Sequence, residues 1–316
     1  MEEAAEEDMN RNLFASSQWY AFATVALWSS AFVFTKVALQ SFSSTGLGFL
    51  RCAIASVTLY AVLRVKKIGL FGWRELPRFA LSGALGFSIY LYTFNKGSET
   101  LTATTGCILI STAPIITALL ASFLFRERLR AMGWAALLLA FAGVLVLMLW
   151  NGAVSINGGV FWMLAASFAI SGYNVIQRKL AGAYSSLQIT AYSFLTATAM
   201  LAGFLPESVR EIMAAPAPHV AAVVFLGVFP SALAYLLWAR ALSLSANTSE
   251  VTKFMFLTPL LSLVLGYAVI SELPGPETWI GGAVILCGLG LFHAAGRRGL
   301  PKATARAGAE TLPRNV

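Results

Sequence analysis

The sequence predicts an all-α integral membrane protein, in which ten transmembrane helices form two inverted five-helix repeats around a central cavity. Its composition, ten apolar runs and an internal repeat lead to this prediction. Of the 316 residues, 58% are hydrophobic and only 11% are charged, whereas a soluble domain carries about 25% charged residues. Such a chain cannot cover a soluble globule with polar side chains, so its outer surface is expected to face lipid.

Ten apolar runs have the length of a membrane-spanning helix, which is roughly 20 residues. The connections between them are short, and most contain the Gly, Ser, Asn, Pro or charged residues that mark turns. The runs are 19–40, 45–64, 77–96, 101–125, 131–150, 158–179, 186–205, 218–241, 246–270 and 277–295.

The positive charges predict that both chain termini are cytoplasmic. With the N-terminus inside, 17 of the 22 Lys and Arg residues fall on the inner side, 2 on the outer side and 3 within spans. Cytoplasmic loops of membrane proteins carry this excess of positive charge. We therefore expect a multi-pass protein of the cell inner membrane. The same scatter of charge argues against nucleic-acid binding, which needs a basic patch on one face.

The chain is expected to divide into four parts. The acidic start, MEEAAEEDMNRN, lacks the basic region of a secretory signal, so it is interpreted as a retained tail. The parts are a cytoplasmic tail at 1–18, a first five-helix repeat at 19–150, a second at 158–295 and a basic cytoplasmic tail at 296–316.

The two halves repeat each other at a constant spacing of 145 residues. Because five spans is an odd number, the second half must enter the membrane in the opposite sense. Glu127 lies among arginines, whereas its counterpart Glu272 has no basic neighbour, as inversion predicts. Inverted repeats are typical of carriers that open a shared site alternately to each side. The pairs include Tyr90 and Tyr235, Ser98 and Ser243, Pro114 and Pro259, Trp134 and Trp279, and Gly143 and Gly288; Lys36 matches Arg178 at a spacing of 142.

Each half ends its fourth span with Pro…Glu, followed by a short loop, a Trp and a Gly-containing span. These segments are APIITALLASFLFRERLRAMGWAALLLAFAG and TPLLSLVLGYAVISELPGPETWIGGAVILCGLG, and the first two spans contain ALWSSAFVFTKVAL and GLGFLRCAIA. Over residues 19–295 the chain resembles the EamA-type branch of the drug/metabolite transporter superfamily. Within that branch it is most similar to YddG-type exporters of aromatic amino acids. The resemblance implies ten spans, a central cavity and outward transport of amino acids or related metabolites.

Three cations lie within the predicted spans, where an ionised group is costly and tends to be functional or paired. Lys253 lies roughly 10 Å into the ninth span, at 1.5 Å per residue, and is the leading candidate to hold a substrate carboxylate. Pairing with Glu250 on the same helix face, or snorkelling, is its alternative. Arg51 is expected to dock helices or contact a headgroup rather than bind substrate. Lys36 is expected to snorkel or to act in gating.

Pro114 and Pro259 fall in the middle of repeat-related spans. A proline removes a backbone hydrogen bond and kinks a helix, so both are predicted to act as hinges. The alternative is that proline is simply tolerated in membrane helices. Glu127 and Glu272, at span ends, are expected to anchor loops or cap helices rather than to carry protons.

Polar and aromatic side chains at mid-depth are expected to line the cavity, because rings and hydroxyls suit an amphipathic solute with an apolar side chain. Helix packing and interhelical hydrogen bonding are the alternative for each. The predicted substrate-binding residues are Tyr90, Ser111, Thr112, Tyr173, Asn174, Tyr235, Trp238, Lys253 and Phe256.

The residue types present argue against other classes of function. Three widely separated cysteines and two histidines give no metal-type spacing, so neither metal nor cofactor is expected. A membrane-embedded enzyme would need converging acids, bases or metal ligands, which the spans lack. We expect a non-enzymatic exporter of aromatic or other neutral amino acids, whose partners are the solute and the bilayer. Export of other metabolites or drugs, and a channel, are the alternatives; no filter-like motif favours the channel.

Overall fold

The computed structural model of the chain describes residues 2–125, 131–150, 157–245 and 251–297, with side chains from residue 16 to residue 294 in these ranges. This part of the chain consists of helices, turns and loops, and no strand occurs in it, as the sequence predicts. The first half contains α1 Glu2–Ala38, α2 Ser44–Val65, α3 Leu76–Gly83, α4 Tyr90–Ser98, α5 Ala103–Ile110, α6 Ala113–Leu124 and α7 Ala131–Leu149. The second half contains α8 Gly158–Leu180, α9 Ser186–Leu201, α10 Leu205–Ala214, α11 Ala217–Val228, α12 Ala234–Leu244, α13 Thr258–Ile270 and α14 Pro276–Arg297.

Nine helical segments within the described ranges are long and apolar enough to cross a membrane. Of the ten predicted runs, 77–96 is not among them. This run is nevertheless continuously helical from Leu76 to Ser98, because a π-helical segment, Ala84–Ile89, joins α3 to α4. The all-helical membrane fold is therefore confirmed, and the tenth span stays a prediction.

Two of the predicted spans are interrupted just before a proline. The run 101–125 breaks after Ile110, and Pro114 lies in the first turn of α6. In the second half, a 3₁₀ turn at Lys253–Leu257 precedes α13, whose first turn contains Pro259. Proline fits a first helical turn because its missing N–H has no partner to lose there. Both prolines thus begin a new helix instead of kinking a continuous one.

The carbonyl group before each of these prolines accepts a hydrogen bond from the other half of the chain. Ser171 of α8 donates its hydroxyl to the Ala113 carbonyl over 2.9 Å. Ser29 of α1 donates to the Thr258 carbonyl over 3.2 Å. Ser29 and Ser171 are 142 residues apart, which is the repeat spacing in this part of the chain. Equivalent hydrogen bonds therefore join the halves at both breaks.

Helices α7 and α14 pack closely along a line of glycines. A Cβ atom on Gly143 would lie 2.6 Å from the Gly281 carbonyl oxygen, so no larger residue fits there without displacing the backbone. A Cβ atom on its repeat partner Gly288 would likewise collide with the backbone of α7. Small residues of this kind allow close approach between membrane helices. The outer faces of the two helices are apolar and exposed, as at Leu138 and Trp279.

Candidate functional site

The two halves place a π-helical segment at the same repeat position. Ala84–Ile89 joins α3 to α4, and Phe229–Leu233 joins α11 to α12. Each segment is followed by a tyrosine, Tyr90 in the first half and Tyr235 in the second. Because π-helical turns recur at functional sites, this matched pair marks the middle of the molecule as the candidate site.

Aromatic rings from both halves meet beside these segments and form what we call the central aromatic group. The Trp28 ring lies 5.6 Å from Tyr235 and 5.3 Å from Trp238. Phe87, within the first π-helical segment, lies 5.9 Å from Tyr235 and stacks on Phe194 at 3.6 Å. The group comprises Trp28, Phe87, Tyr173, Phe194, Tyr235 and Trp238.

Arg51 of α2 lies next to this group and is buried, with 5% of its surface exposed. Its Nη1 donates to Thr35 Oγ1 over 3.3 Å, and its Nη2 donates to Ser231 Oγ over 3.4 Å. The guanidinium carbon lies 5.9 Å from the centre of the Phe94 ring. Tyr235 follows Ser231, the second hydroxyl partner of Arg51, by one helical turn. A permanent positive charge is therefore held between the two halves, inside the membrane-spanning region.

An ion pair between Lys36 and Glu272 lies at one end of the helix bundle. We call this end the Glu272 end. Lys36 Nζ lies 2.6 Å from Glu272 Oε1 and donates to the Leu101 carbonyl, also over 2.6 Å. Glu272 Oε2 accepts the Ala103 backbone N–H over 2.7 Å, at the start of α5. The pair ties α1 to the loops before α5 and after α13. Glu272 therefore caps a helix, as expected from its position at a span end.

The opposite end, which we call the Arg78 end, contains a cleft of about 680 Å³ between α3, α6 and α8. The cleft extends from Arg78 and Lys179 to Leu85, which belongs to the first π-helical segment. Most of its lining is apolar: Leu81, Leu85, Leu120, Leu124, Gly172, Val175, Ile176, Leu180 and Ala183, with Arg78, Lys179 and Tyr184. The ion pair and the cleft therefore lie at opposite ends of the bundle.

Comparison with known proteins agrees with this architecture. The family model described as the EamA-like transporter family matches the chain twice, at residues 15–149 and 157–293. The chain belongs to the EamA-like transporter family. The two matched segments are the two halves of the fold described above, so each half is one EamA copy.

Curated relatives of this EamA protein are named as transporters. A "Probable terminal-alkyne amino-acid exporter" of Streptantibioticus cattleyicolor is 30% identical over 89% of this chain and 95% of its own length. The "Uncharacterized transporter YdfC" of Bacillus subtilis is 27% identical over 84% of this chain and 87% of its own. One solved crystal structure shares the fold, with a TM-score of 0.59 and 21% identity, and covers 90% of this chain and 98% of that one. The chain is therefore a multi-pass membrane transporter.

Four of the predicted substrate-binding residues of this EamA transporter lie close to the middle of the molecule. Tyr173, Tyr235 and Trp238 belong to the central aromatic group. The Tyr90 ring is tilted against the Phe94 ring, with their centroids 5.6 Å apart, and the Phe94 ring lies next to Arg51. The Tyr173 ring packs directly on Gly86, where a Cβ atom would collide with it. The fold thus brings these four predicted residues, which come from both EamA copies, toward the middle of the molecule.

The other predicted residues make their described contacts with residues outside the central aromatic group. Ser111 and Thr112 donate their hydroxyls to carbonyls of α5, at the break before α6. Asn174 donates to Thr117 over 3.4 Å. Lys253 is exposed, with its ammonium 5.9 Å from the Phe254 ring. Phe256 is also partly exposed and lies 4.8 Å from the His293 ring. The proposed alternative partner of Lys253, Glu250, falls outside the described residues, as does Glu127.

Arg51 was expected either to dock helices or to contact a headgroup, and its contacts distinguish between these two alternatives. It contacts α1 and the second π-helical segment, which agrees with helix docking and not with a headgroup contact. The number of residues between the start of the second span and Arg51 indicates a position near the membrane surface. The signal for burial was indirect: Thr35 and Ser231 supply hydroxyls in otherwise apolar spans. Among the described side chains, no group of three or more His, Cys, Asp and Glu could hold a metal ion.

Proposed function

We propose that this EamA transporter exports amino acids, aromatic or other neutral ones, and related small metabolites by alternating access. One observation carries the proposal: each EamA copy contributes a π-helical segment followed by a tyrosine, and Phe87 of the first segment meets Tyr235 of the second copy in the central aromatic group. A site shared by two related halves is the arrangement that alternating access requires. Rings at such a site suit an apolar side chain, while nearby hydroxyls suit polar groups.

The positions of the span ends support an inverted arrangement of the copies. Phe125, at the end of the fourth span of the first copy, packs beneath Arg178 and Lys179 at 4.8 and 5.4 Å, at the Arg78 end. The equivalent part of the second copy leads to Glu272, at the other end. Counting Leu76–Ser98 as a tenth span gives each copy five spans. With the positive-inside rule, the Arg78 end and both tails face the cytoplasm of a bacterial-type inner membrane.

In this orientation, the described arrangement is closed to the outside and indented from the cytoplasm. Closure rests on Lys36 and Glu272, and the cleft at the Arg78 end leads toward the middle. Opening the Glu272 end while closing the cleft would carry a solute outward. The breaks before Pro114 and Pro259, which join the copies through equivalent hydrogen bonds, are the hinges of this movement in our proposal.

The substrate class follows from the rings and from the relatives together. The relative from Streptantibioticus cattleyicolor is named as an amino-acid exporter, and the central aromatic group offers stacking faces for an apolar side chain. We assign the solute wall to Tyr90, Tyr173, Tyr235 and Trp238. The remaining predicted residues, Ser111, Thr112, Asn174, Lys253 and Phe256, are candidates for the route between the site and the cytoplasm.

Counterflow in proteoliposomes tests this proposal. Vesicles that contain purified protein are loaded with an excess of one unlabelled amino acid, and entry of the same labelled amino acid is followed over a panel of about twenty. We expect transient, saturable accumulation for phenylalanine, tyrosine, tryptophan or other neutral amino acids. Non-saturating entry would indicate a channel, and no entry of any amino acid would overturn the assigned substrate class.

A matched pair of tyrosine variants separates the site from general damage. Tyr235→Ala removes a ring of the central aromatic group, so counterflow should fall about ten-fold or more, as expected for loss of an aromatic anchor worth about 1.4 kcal/mol or more. Tyr267→Ala removes an exposed ring of α13 and should leave counterflow within about two-fold. Equal effects of the two variants would contradict the placement of the site.

A further inference from the structure

We propose that Arg51 is the anchor for the carboxylate group of the transported solute. This inference rests on the proposed function and makes it more specific, because it requires a solute that bears a carboxylate. It also assigns the anchor to a residue other than Lys253, whose side chain is exposed.

The hydrogen bonds of Arg51 leave most of its binding capacity unused. A guanidinium has five N–H donors, and two of them meet hydroxyl groups at 3.3 and 3.4 Å. These distances exceed the usual range of about 2.7–3.2 Å. The Nε atom is buried and has no hydrogen-bond partner. The existing contacts are therefore weak, neutral and replaceable.

No carboxylate among the described residues lies within ion-pair distance of the guanidinium. Lys36 of α1, which directly follows the Thr35 that Arg51 contacts, already pairs with Glu272. An ionised side chain inside a membrane protein normally pairs with an opposite charge or marks a solute pathway. The described residues around Arg51 offer it hydroxyls and ring faces but no carboxylate, so its charge is available to an anionic solute.

The position of Arg51 suits a site shared by the two EamA copies. Its hydroxyl contacts come one from each copy, Thr35 from the first and Ser231 from the second. Tyr90 of the first copy packs against the Phe94 ring that lies next to the guanidinium, and Tyr235 of the second copy follows Ser231 by one helical turn. Thr35 directly precedes Lys36 in α1, so binding at Arg51 would act on the helix turn that holds the closure at the Glu272 end.

The surroundings favour a single carboxylate over a phosphate group. The flat fork of arginine matches the two oxygens of a carboxylate, and one cation balances one negative charge. A phosphate carries up to two charges and would need a second cation near Arg51. A solute amine has no described acid beside Arg51 and would contact ring faces, such as those of Trp28 and Trp238, by cation–π attraction.

Three matched probes test the inference on the wild-type protein. L-Phenylalanine has both charged groups, 3-phenylpropionate lacks the amine and phenethylamine lacks the carboxylate. A ligand that binds the folded state raises its melting temperature. We expect both carboxylate probes to stabilise the purified protein, each with at least about ten-fold higher affinity than phenethylamine. Equal or stronger stabilisation by phenethylamine, or none by either carboxylate probe, would overturn the anchor.

Variants then assign the effect to Arg51. Arg51→Gln should weaken binding of both carboxylate probes about ten-fold or more while leaving phenethylamine unchanged, and Arg51→Lys should restore part of the loss. The control is Arg64→Gln, an exposed arginine near the end of the same helix, which should bind all three probes as the wild type does. Unaltered carboxylate binding by a folded Arg51→Gln protein would overturn the proposal. If that variant does not fold, Arg51→Lys and the wild-type comparison still decide.

The two proposals fail in different ways. If amino-acid counterflow persists in Arg51→Gln with unchanged affinity, the anchor is wrong and the exporter function stands. If no amino acid shows counterflow but 3-phenylpropionate binds and depends on Arg51, the function is wrong and the carboxylate anchor stands.

Discussion

Lys36 links the two EamA copies at the Glu272 end of the helix bundle, where we propose that it holds this end closed. From sequence it was expected to snorkel or to act in gating, and the structure pairs it with Glu272 and the Leu101 carbonyl. Both side chains are largely buried, with 21% and 19% of their surfaces exposed. Because the pair ties α1 of the first copy to the second copy, its loss should favour opening at the Glu272 end.

Neutralising this pair should make Cys107 more accessible. Cys107 is buried in α5, one turn after the Ala103 N–H that Glu272 caps. In a protein whose other cysteines are replaced, Glu272→Gln should speed labelling of Cys107 by an aqueous thiol reagent about five-fold, as expected for loss of about 1 kcal/mol. The control is Lys96→Met, which removes the more exposed pair with Glu99 at the same end. Faster labelling in the control alone would contradict the closure assigned to Lys36 and Glu272.

At the scale of elements, the proposed movement depends more on the interruptions of the helices than on the regular helices themselves. Each copy breaks its fourth span before a proline and carries a π-helical segment in its third. Equivalent hydroxyl groups, Ser171 and Ser29, bond to the carbonyls at the two breaks. A broken helix can bend at its break at lower cost than a continuous one, so these positions suit a moving pair of halves.

Pro259→Ala tests the hinge assignment. Alanine restores the backbone N–H and allows α13 to extend into the preceding turn, which should stiffen the break. We expect the counterflow rate to fall several-fold while substrate affinity stays within about two-fold. Pro77→Ala, in the first turn of α3, is the control and should change neither value. Parallel loss of rate and affinity in Pro259→Ala would indicate a binding or folding role instead.

The membrane-spanning helices could be predicted from the sequence, because the length of each apolar run determines them. The two prolines marked the positions of the fourth-span breaks. The π-helical segments could not be predicted, because the hydrophobic pattern of a span does not distinguish α from π turns. The repeat spacing found Tyr90 and Tyr235, since it marks equivalent positions in both copies. Arg51 and Trp28 were not selected, because α2 and α1 are apolar on most faces and a sequence count gives depth without giving the buried face.

At the scale of the whole molecule, the proposed transport requires two copies inserted in opposite senses. The family model matches both copies, and the contacts at the two ends support the inversion: Phe125 lies under basic residues at the Arg78 end, whereas Glu272 pairs with Lys36 at the opposite end. The same arrangement places the central aromatic group and Arg51 between the copies. If both copies were inserted in the same sense, the shared site could not open alternately to the two sides of the membrane by this mechanism.

Cysteine accessibility in sealed, right-side-out vesicles tests this arrangement most directly. Two single-cysteine proteins, Arg128→Cys and Leu273→Cys in a background without other cysteines, place a thiol in the equivalent loops of the two copies. A membrane-impermeant reagent should label residue 273 in intact vesicles and residue 128 only after permeabilisation. Labelling of both residues from the same side would contradict the inverted arrangement and, with it, the proposed route of transport.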